Sequence, residues 1–504
     1  MGSQAADAPA RVDDSAEWWS SRVVWVTLAI AVLVGLVLRI WIFMSPFGHM
    51  DADEAVWGLM AKHVLSGEVP ALFWGENYGG TLEVILTAPL YALLGPSKIT
   101  VELVPMLFNL ASVYLVWRIA KRLLGDRAGL VAAAVYWVWP GYVVWKAMKA
   151  HGFYGSGMAF SLLAILFAFR LFEKVTMRDA LALGVAAGVA WWTSPQVILI
   201  LVPLAVWLPL RRPAVLKQIH VLVAGLALGA FPWLVHNLTN NWRSITQTLA
   251  TPHGDYSDHL TGAVRNGIPA ILGLRAPWTQ QWVLTPWLGR AVYVLAFAGL
   301  LVLAYRVVFV RSERTGKQLL VLIALLYPFI FSWSSQAWHV NEPRYFFLLA
   351  PIVVVLAVSA IRKWTPQLFV TAVCVAVLSS TAGLSFADAG NATFGMAPNV
   401  PLPEDITPLI EALENHGVRH IYANYWIAYR VVYEIDERII AYPEEGKVRT
   451  PEQAAEVAAD PAAAHVFLIG STSGPPYTSA LDASGVPYSR IEAGAFVIYI
   501  PHPK

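Results

Sequence analysis

The sequence predicts a polytopic α-helical membrane protein, with about eleven transmembrane helices and a small C-terminal α/β domain outside the membrane. Three observations predict it. Apolar runs of bilayer length recur through residues 23–384. Basic residues collect in every second connection between those runs. Beyond residue 385 the composition turns richer in Glu, Asp, Pro and Ala, and short β-rich runs alternate with helical patterns.

Composition bounds the function. The chain has 504 residues, 57% of them hydrophobic and only 13% charged. A soluble chain carries about 25% charged residues, so the deficit places the protein in the membrane class. The net charge of +2 is spread thinly between apolar runs, which leaves no basic stripe for nucleic acid. One cysteine, Cys374, excludes an intrachain disulfide.

The elements follow in order. Residues 1–22 are polar and expected to be a disordered cytoplasmic N-terminus. The run 23–44 is longer than the apolar core of a secretory signal and reads as a retained first span. Further spans are expected near 100–120, 128–146, 155–173, 178–195, 196–210, 219–237, 289–310, 318–333, 345–361 and 366–384. Short basic connections lie at Lys121 with Arg122 and Arg127, Lys174 with Arg178, Arg211 with Arg212 and Lys217, Arg311 with Arg314 and Lys317, and Arg362 with Lys363. The positive-inside rule puts all five in the cytoplasm, the N-terminus inside and the C-terminus outside. The outer face then holds a first loop at 45–99, a second at 238–288, and the domain at 385–504. The apolar stretch 81–95 is too short to span and is expected to lie in the interface or to re-enter. In the tail, strands are expected at 420–423, 438–441, 465–469 and 495–500, with helices at 404–415, 451–459 and 477–483. The tail has no phosphate-cradling glycine motif and reads as a structural or acceptor-guiding cap, after a linker at 387–403.

Charged groups at a bilayer edge are costly unless they have partners or work. The first outer loop opens with Asp51, Asp53 and Glu54, directly after the first span. Their bland reading is a helix N-terminus, which favours acidic residues. Their sharper reading, with Glu76 and Glu83 further along the loop, is an acidic site for general-base work on an acceptor hydroxyl. Lys146, Lys149, His151 and Arg344, which precedes Tyr345, are basic on the outer side, against the positive-inside trend. Snorkelling to headgroups would explain them. So would a lipid-linked phosphate, which Arg grips bidentately and Lys as a point charge. In the second loop His253, Asp255, Asp258 and His259 are spaced as divalent-metal ligands could be, although a solvated polar loop is commoner. Metal dependence is left open on these residues.

The residues 50–55 (MDADEA), 73–83 (FWGENYGGTLE), 343–345 (PRY) and 422–430 (YANYWIAYR), set in this topology, resemble the GT-C glycosyltransferases. The nearest likeness is to the bacterial family 39 group, relatives of protein O-mannosyltransferases and of lipid A aminoarabinose transferases. The resemblance implies transfer of one sugar from a polyprenyl-phosphate donor to an envelope glycan, lipid or protein on the outer face of a bacterial plasma membrane. It implies direct displacement with inversion, so that a β-phosphate donor gives an α-linkage. It implies Asp53 as the base, with Asp51 as the other candidate, and Glu54 orienting the base or the acceptor. Arg344 and Tyr345, with Lys149 and His151, would hold the lipid phosphate, and Glu76, Tyr78 and Glu83 would line the substrate. The segment 82–89 departs from the family's charged residue followed by two prolines, which leaves Glu83 without a clear role. A transporter of lipid-linked sugars is the rival reading. It would want inverted repeats and broken helices at mid-bilayer, and no half-to-half repeat is visible.

Overall fold

The computed structural model describes residues 18–250, 254–310, 316–387, 403–444, 446–471 and 474–503. The N-terminal tail 1–17, His253, Arg311, Arg314 and nearly all of the 387–403 linker lie outside the described residues.

Among the described residues five helices combine the length and hydropathy needed to cross a membrane. They are α1 (Arg22–Met44), α4 (Lys98–Leu124), α6 (Tyr154–Glu173), α10 (Pro286–Phe309) and α13 (Pro366–Ser385). The other six apolar runs fold as helices of 11 to 17 residues: α5 (Asp126–Val138), α7 (Met177–Thr193), α8 (Ile198–Arg211), α9 (Ile219–Gly229), α11 (Lys317–Ser332) and α12 (Leu349–Ser359). Proline accounts for much of the shortening, because it removes a backbone donor and clashes with the preceding turn. Pro140 follows the end of α5 and starts a separate short helix at Gly141–Lys146, so the run 128–146 is two pieces. Pro232 opens a separate helix at Phe231–Thr239, so the run 219–237 is also two pieces, and the segments either side of the 211–213 break are bent by 113°. The protein is a multi-pass helical membrane protein, and five of the eleven expected spans have full spanning length as single helices.

Small residues set the tightest crossing. Gly184 and Gly188 of α7 face Gly225 and Gly229 of α9, and a Cβ on any of the four would lie 2.2–2.6 Å from the partner backbone. In lipid such spacing lets helices approach closely and gain dispersion contact where no hydrophobic drive is available. A buried cation is also accommodated. Arg39 of α1 donates to the carbonyl of Gly35 (2.9 Å), the carbonyl of Trp137 (3.1 Å) and Asn109 Oδ1 (2.9 Å). Its guanidinium lies 3.6 Å from the Trp137 ring centre, so it is paired on every side within the bundle.

Two further helices stand in the 45–99 connection. The first, α2 (Ala52–Leu65), begins with a reciprocal capping box between Asp51 and Glu54. The second, α3 (Leu82–Leu94), is apolar and 13 residues long. The Trp57 indole of α2 donates to Thr87 Oγ1 of α3 at 2.9 Å.

The C-terminal region forms a five-stranded mixed sheet in the order β2-β1-β3-β5-β4. Strands β1 (His420–Ala423), β2 (Ile440–Pro443) and β3 (Ala464–Leu468) are parallel, and β4 (Tyr488–Ala493) and β5 (Phe496–Pro501) close the other edge antiparallel. Helices α14 (Thr407–Asn415), α15 (Tyr425–Glu434), α16 (Pro451–Ala458) and α17 (Gly474–Ser484) accompany them. Sequence patterning missed β4, whose face is largely polar, and α15.

This domain shares its core with the first long connection. Trp57, Met60 and Tyr91 of α2 and α3 belong to one buried cluster with Ile421, Tyr429, Val432 and Phe496. At the centre Gly58 lies against the Tyr433 ring, and Tyr91 and Tyr433 hydrogen-bond at 2.9 Å. Lys62 pairs with Asp436 (2.9 Å) and His63 with Glu437 (2.9 Å) around it.

Candidate active site

The helical geometry at the start of α2 divides the three acids. Asp51 is the N-cap residue, and its Oδ1 accepts the Glu54 N–H at 3.1 Å. Glu54, three residues on, accepts the Asp51 N–H at 3.3 Å. Both are buried. Asp53 lies between them on the next face, and its side chain retains 22% exposure. Asp53, Arg344, Asn424, Tyr425, Trp426, Gly446, Lys447 and Arg449 line a cavity of about 340 Å³ between the membrane part and the C-terminal domain.

Beneath that cavity the remaining charges neutralise one another. The Lys149 ammonium bonds to Glu54 Oε2 and to the His49 carbonyl (2.7 Å), and the Ala150 N–H reaches Glu54 Oε1 at 3.0 Å. Burial alone would lower the Lys149 pKa, but Glu54, Asp51 and Glu102 around it push it above the ordinary lysine value. His151 Nε2 lies 2.5 Å from Asp51 Oδ2, and its Nδ1 lies 2.7 Å from the Lys146 ammonium. An ammonium only donates, so Nδ1 accepts and the proton sits on Nε2, aimed at Asp51. Burial and then Lys146 hold the His151 pKa well below the usual histidine value, so it is the neutral imidazole that caps Asp51. Lys149 and His151, expected at the lipid phosphate, stand apart from the cavity. Both are buried and engaged with acids, and neither lines the cavity. The same burial takes Asp51 and Glu54 away from the cavity surface, where only Asp53 of the three is found.

Asp51, Glu54 and His151 are also the one set among the described residues whose ligand atoms, all within 4.8 Å of one another, could hold a metal. The Lys149 ammonium and the His151 N–H already serve those oxygens, so a cation would have to displace a cation. In the second long connection Asp255 caps a short helix through the Ser257 N–H (2.7 Å), and His259 is packed on Trp338. Those residues do not form a ligand set among the described residues.

Of the other expected residues, Glu76 meets Arg449 at 2.6 Å and bonds Lys447, which places it at the cavity rim. Tyr78 packs edge-on against Phe153. The Tyr345 hydroxyl donates to Gln336 at 2.9 Å, and its ring stacks on His339. Burial opposes charge on Arg344, but Tyr154, Tyr345 and Glu342 outweigh it and keep the guanidinium protonated. Sequence reasoning gave no role to Tyr425, Lys447 or Arg449. Tyr425 stands in the segment 422–430 that carries the family likeness, whereas Lys447 and Arg449 belong to no motif.

Glu83 is separate from the cavity. Its Oε1 accepts from the Ser156 N–H (2.7 Å) and the Ser156 hydroxyl (2.6 Å). Burial raises its pKa to about 7, with the two Ser156 bonds opposing. The folded state therefore binds this proton more tightly than the unfolded one, and stability contributed by the neutral acid is lost as pH rises from the ordinary value of 4.5 through about 7. Glu83→Gln keeps both acceptor bonds without the charge. We expect its thermal midpoint to exceed that of wild type by a few degrees at pH 8.5 and to match it near pH 5. An equal difference at both pH values would show that Glu83 does not titrate in this range.

Residues 85–236 match the family described as dolichyl-phosphate-mannose-protein mannosyltransferase. No curated protein sequence matches the chain. Among solved structures, ArnT from Cupriavidus metallidurans bound to undecaprenyl phosphate is 13% identical, with a TM-score of 0.62 over 96% of this chain and 100% of that one. Its apo form gives 0.64 over 97% of this chain and 100% of that one, at 13% identity. The Archaeoglobus fulgidus oligosaccharyltransferase in the apo form is 14% identical, with a TM-score of 0.52 over 92% of this chain and 72% of that one. The chain therefore has the GT-C fold that its sequence resembles. The family match falls within the helical part and includes neither Asp53 nor the C-terminal domain.

Proposed function

We propose that the protein is a glycosyltransferase that moves one sugar from a polyprenyl-phosphate donor to an acceptor hydroxyl at the outer face of a bacterial plasma membrane. The observation that carries this reading is the pairing of Asp53 and Arg344 across one cavity at the end of the first span, in a GT-C fold. The solved ArnT complex holds undecaprenyl phosphate, and the family matched is one of lipid-phosphate-sugar transferases, which supports the donor class. Basic connections on one side support a cytoplasmic N-terminus and a C-terminal domain outside.

The chemistry follows from charge. An acceptor oxygen attacks the anomeric carbon as the bond from that carbon to the phosphate oxygen breaks. Asp53 takes the hydroxyl proton, and Arg344 stabilises the negative charge that grows on the leaving phosphate. A single displacement inverts the anomeric centre. The acceptor is an envelope glycan, lipid or protein.

The test is turnover in proteoliposomes. Radiolabelled undecaprenyl-phosphate sugars are supplied with envelope extract, and release of undecaprenyl phosphate is measured. Consumption of one donor supports the reading. Passage of intact lipid-linked sugar across the bilayer without consumption would replace it with the transporter reading. In the same assay Arg344→Ala is expected to lower kcat by about 10²–10³-fold, on the scale of losing one preorganised charge donor. Arg344→Lys should recover part of that loss, since the charge remains and the bidentate fork does not. Wild-type turnover in Arg344→Ala would remove the phosphate from this end of the cavity.

A further inference from the structure

In an α/β domain, ligands bind at the carboxyl ends of the parallel strands, where the strand order reverses. The chain here leaves β1 for β2 on one side and then crosses to β3 on the other, so the reversal lies at β1. Asn424–Trp426 follow β1, and Gly446–Arg449 follow β2. Both connections face the membrane part and line the Asp53 cavity.

Arg449 joins the two halves. Its side chain is 9% exposed. Nη1 reaches Glu76 Oε1 (2.6 Å) and the Trp74 carbonyl (3.1 Å), Nη2 lies 3.5 Å from Asp53 Oδ1, and Nε donates to the Tyr425 hydroxyl (3.1 Å). Tyr425 donates in turn to Asp53 Oδ1 at 2.6 Å. The direction of donation is therefore continuous, from the guanidinium through the phenol to the carboxylate, and both contacts fall on Oδ1 rather than Oδ2. Glu76 shares the guanidinium, so its charge is divided between two acids. The seat is close-fitting as well. Gly75 has φ +67, and a Cβ there would lie 2.8 Å from the Val448 carbonyl oxygen.

We infer that the C-terminal domain is the second half of the active site, in which Arg449, acting through Tyr425, positions the Asp53 carboxylate for proton acceptance. The inference rests on the reading of Asp53 as the base. It replaces the expectation of a cap with an integral part of the catalytic apparatus.

The test uses the full-length protein in lipid nanodiscs, with the undecaprenyl-phosphate sugar that wild type consumes. Arg449→Ala is expected to lower kcat by about 10²-fold, the scale of a misplaced catalytic group, with the donor KM within about threefold. Binding of undecaprenyl phosphate alone should be unchanged, and Arg449→Lys should restore part of kcat. Tyr425→Phe should lower kcat by about tenfold. Gly75→Ala keeps every polar group and displaces the 446–449 loop, so it should lower kcat in the same way while the thermal midpoint shows a folded protein. Raised KM with wild-type kcat in Arg449→Ala would make Arg449 a substrate ligand and overturn the positioning role. Wild-type kcat in both Arg449→Ala and Tyr425→Phe, beside an inactive Asp53→Asn, would overturn the inference and leave the Asp53 reading intact. An active Asp53→Asn would overturn both.

Discussion

Asp53→Asn is expected to abolish sugar transfer, lowering kcat by about 10³-fold or more, while the protein folds and binds undecaprenyl phosphate as wild type does. That size is the middle of the usual contribution of a positioned general base, about 10²–10⁴-fold. Folding should be spared because the substitution is nearly isosteric and the group is half-buried rather than enclosed. The Asn carbonyl can still accept the Tyr425 hydroxyl that lies 2.6 Å from Oδ1 in wild type. The Arg449 contact at 3.5 Å is long, and Glu76 keeps that guanidinium paired at 2.6 Å. The amide differs in what it cannot do, which is take a proton from an attacking hydroxyl. Turnover measured at saturating donor, beside undecaprenyl phosphate binding, separates that loss from a binding defect. Transfer at the wild-type rate in Asp53→Asn would remove general-base chemistry from this residue.

The same residues show what sequence could tell. The bilayer-length runs and their basic connections were legible because hydropathy and charge are local properties of the chain. The acids of the first loop were legible as a group. Their division was not, since it depends on where each falls within the first turn of one helix. Asp51 and Glu54 close a capping box, and Asp53 turns to a different face. The capping pattern itself was readable, but what lies opposite each face is a tertiary fact. Lys149 shows this most directly. Read along the chain it is a basic residue at an outer membrane edge, and only packing reveals Glu54 against it. Span lengths were overread for a different reason. Hydropathy continues through prolines such as Pro140 and Pro232, whereas the backbone ladder does not.

Arg449 was illegible on any local argument. It stands 396 residues from Asp53 and follows a short strand in a segment with no motif of its own. Tyr425 belonged to a segment that carried the family likeness, yet nothing in that segment specified a contact with the first loop. Continuity of one apolar core through Trp57, Tyr91, Tyr429 and Phe496 makes such contacts durable, because shifting the domain on α2 would expose that whole surface.

Replacing Lys149 by methionine is expected to produce the largest loss of stability among single changes near the site, and to act on folding rather than on chemistry. The Lys149 side chain has 0% exposure and its partner Glu54 has 1%. Removing one member of such a pair leaves the other as an uncompensated buried charge, which costs about 3–5 kcal/mol. The neighbourhood makes relief difficult. Glu102 is close enough to act on Lys149 electrostatically, and neither of its carboxylate oxygens has a hydrogen-bond partner among the described residues. Loss of the ammonium would therefore leave Glu54 without its partner, with Glu102 still near enough to act on it. The expected result is a sharply lowered thermal midpoint and poor recovery of folded protein. The double variant Lys149→Met with Glu54→Gln should regain much of the loss, because the orphaned charge is removed with its partner. A double-mutant cycle on the midpoint measures that coupling. If Lys149→Met instead folds with wild-type stability and loses only donor binding, the lysine reaches the substrate during turnover, and the buried pair seen here opens to let it do so.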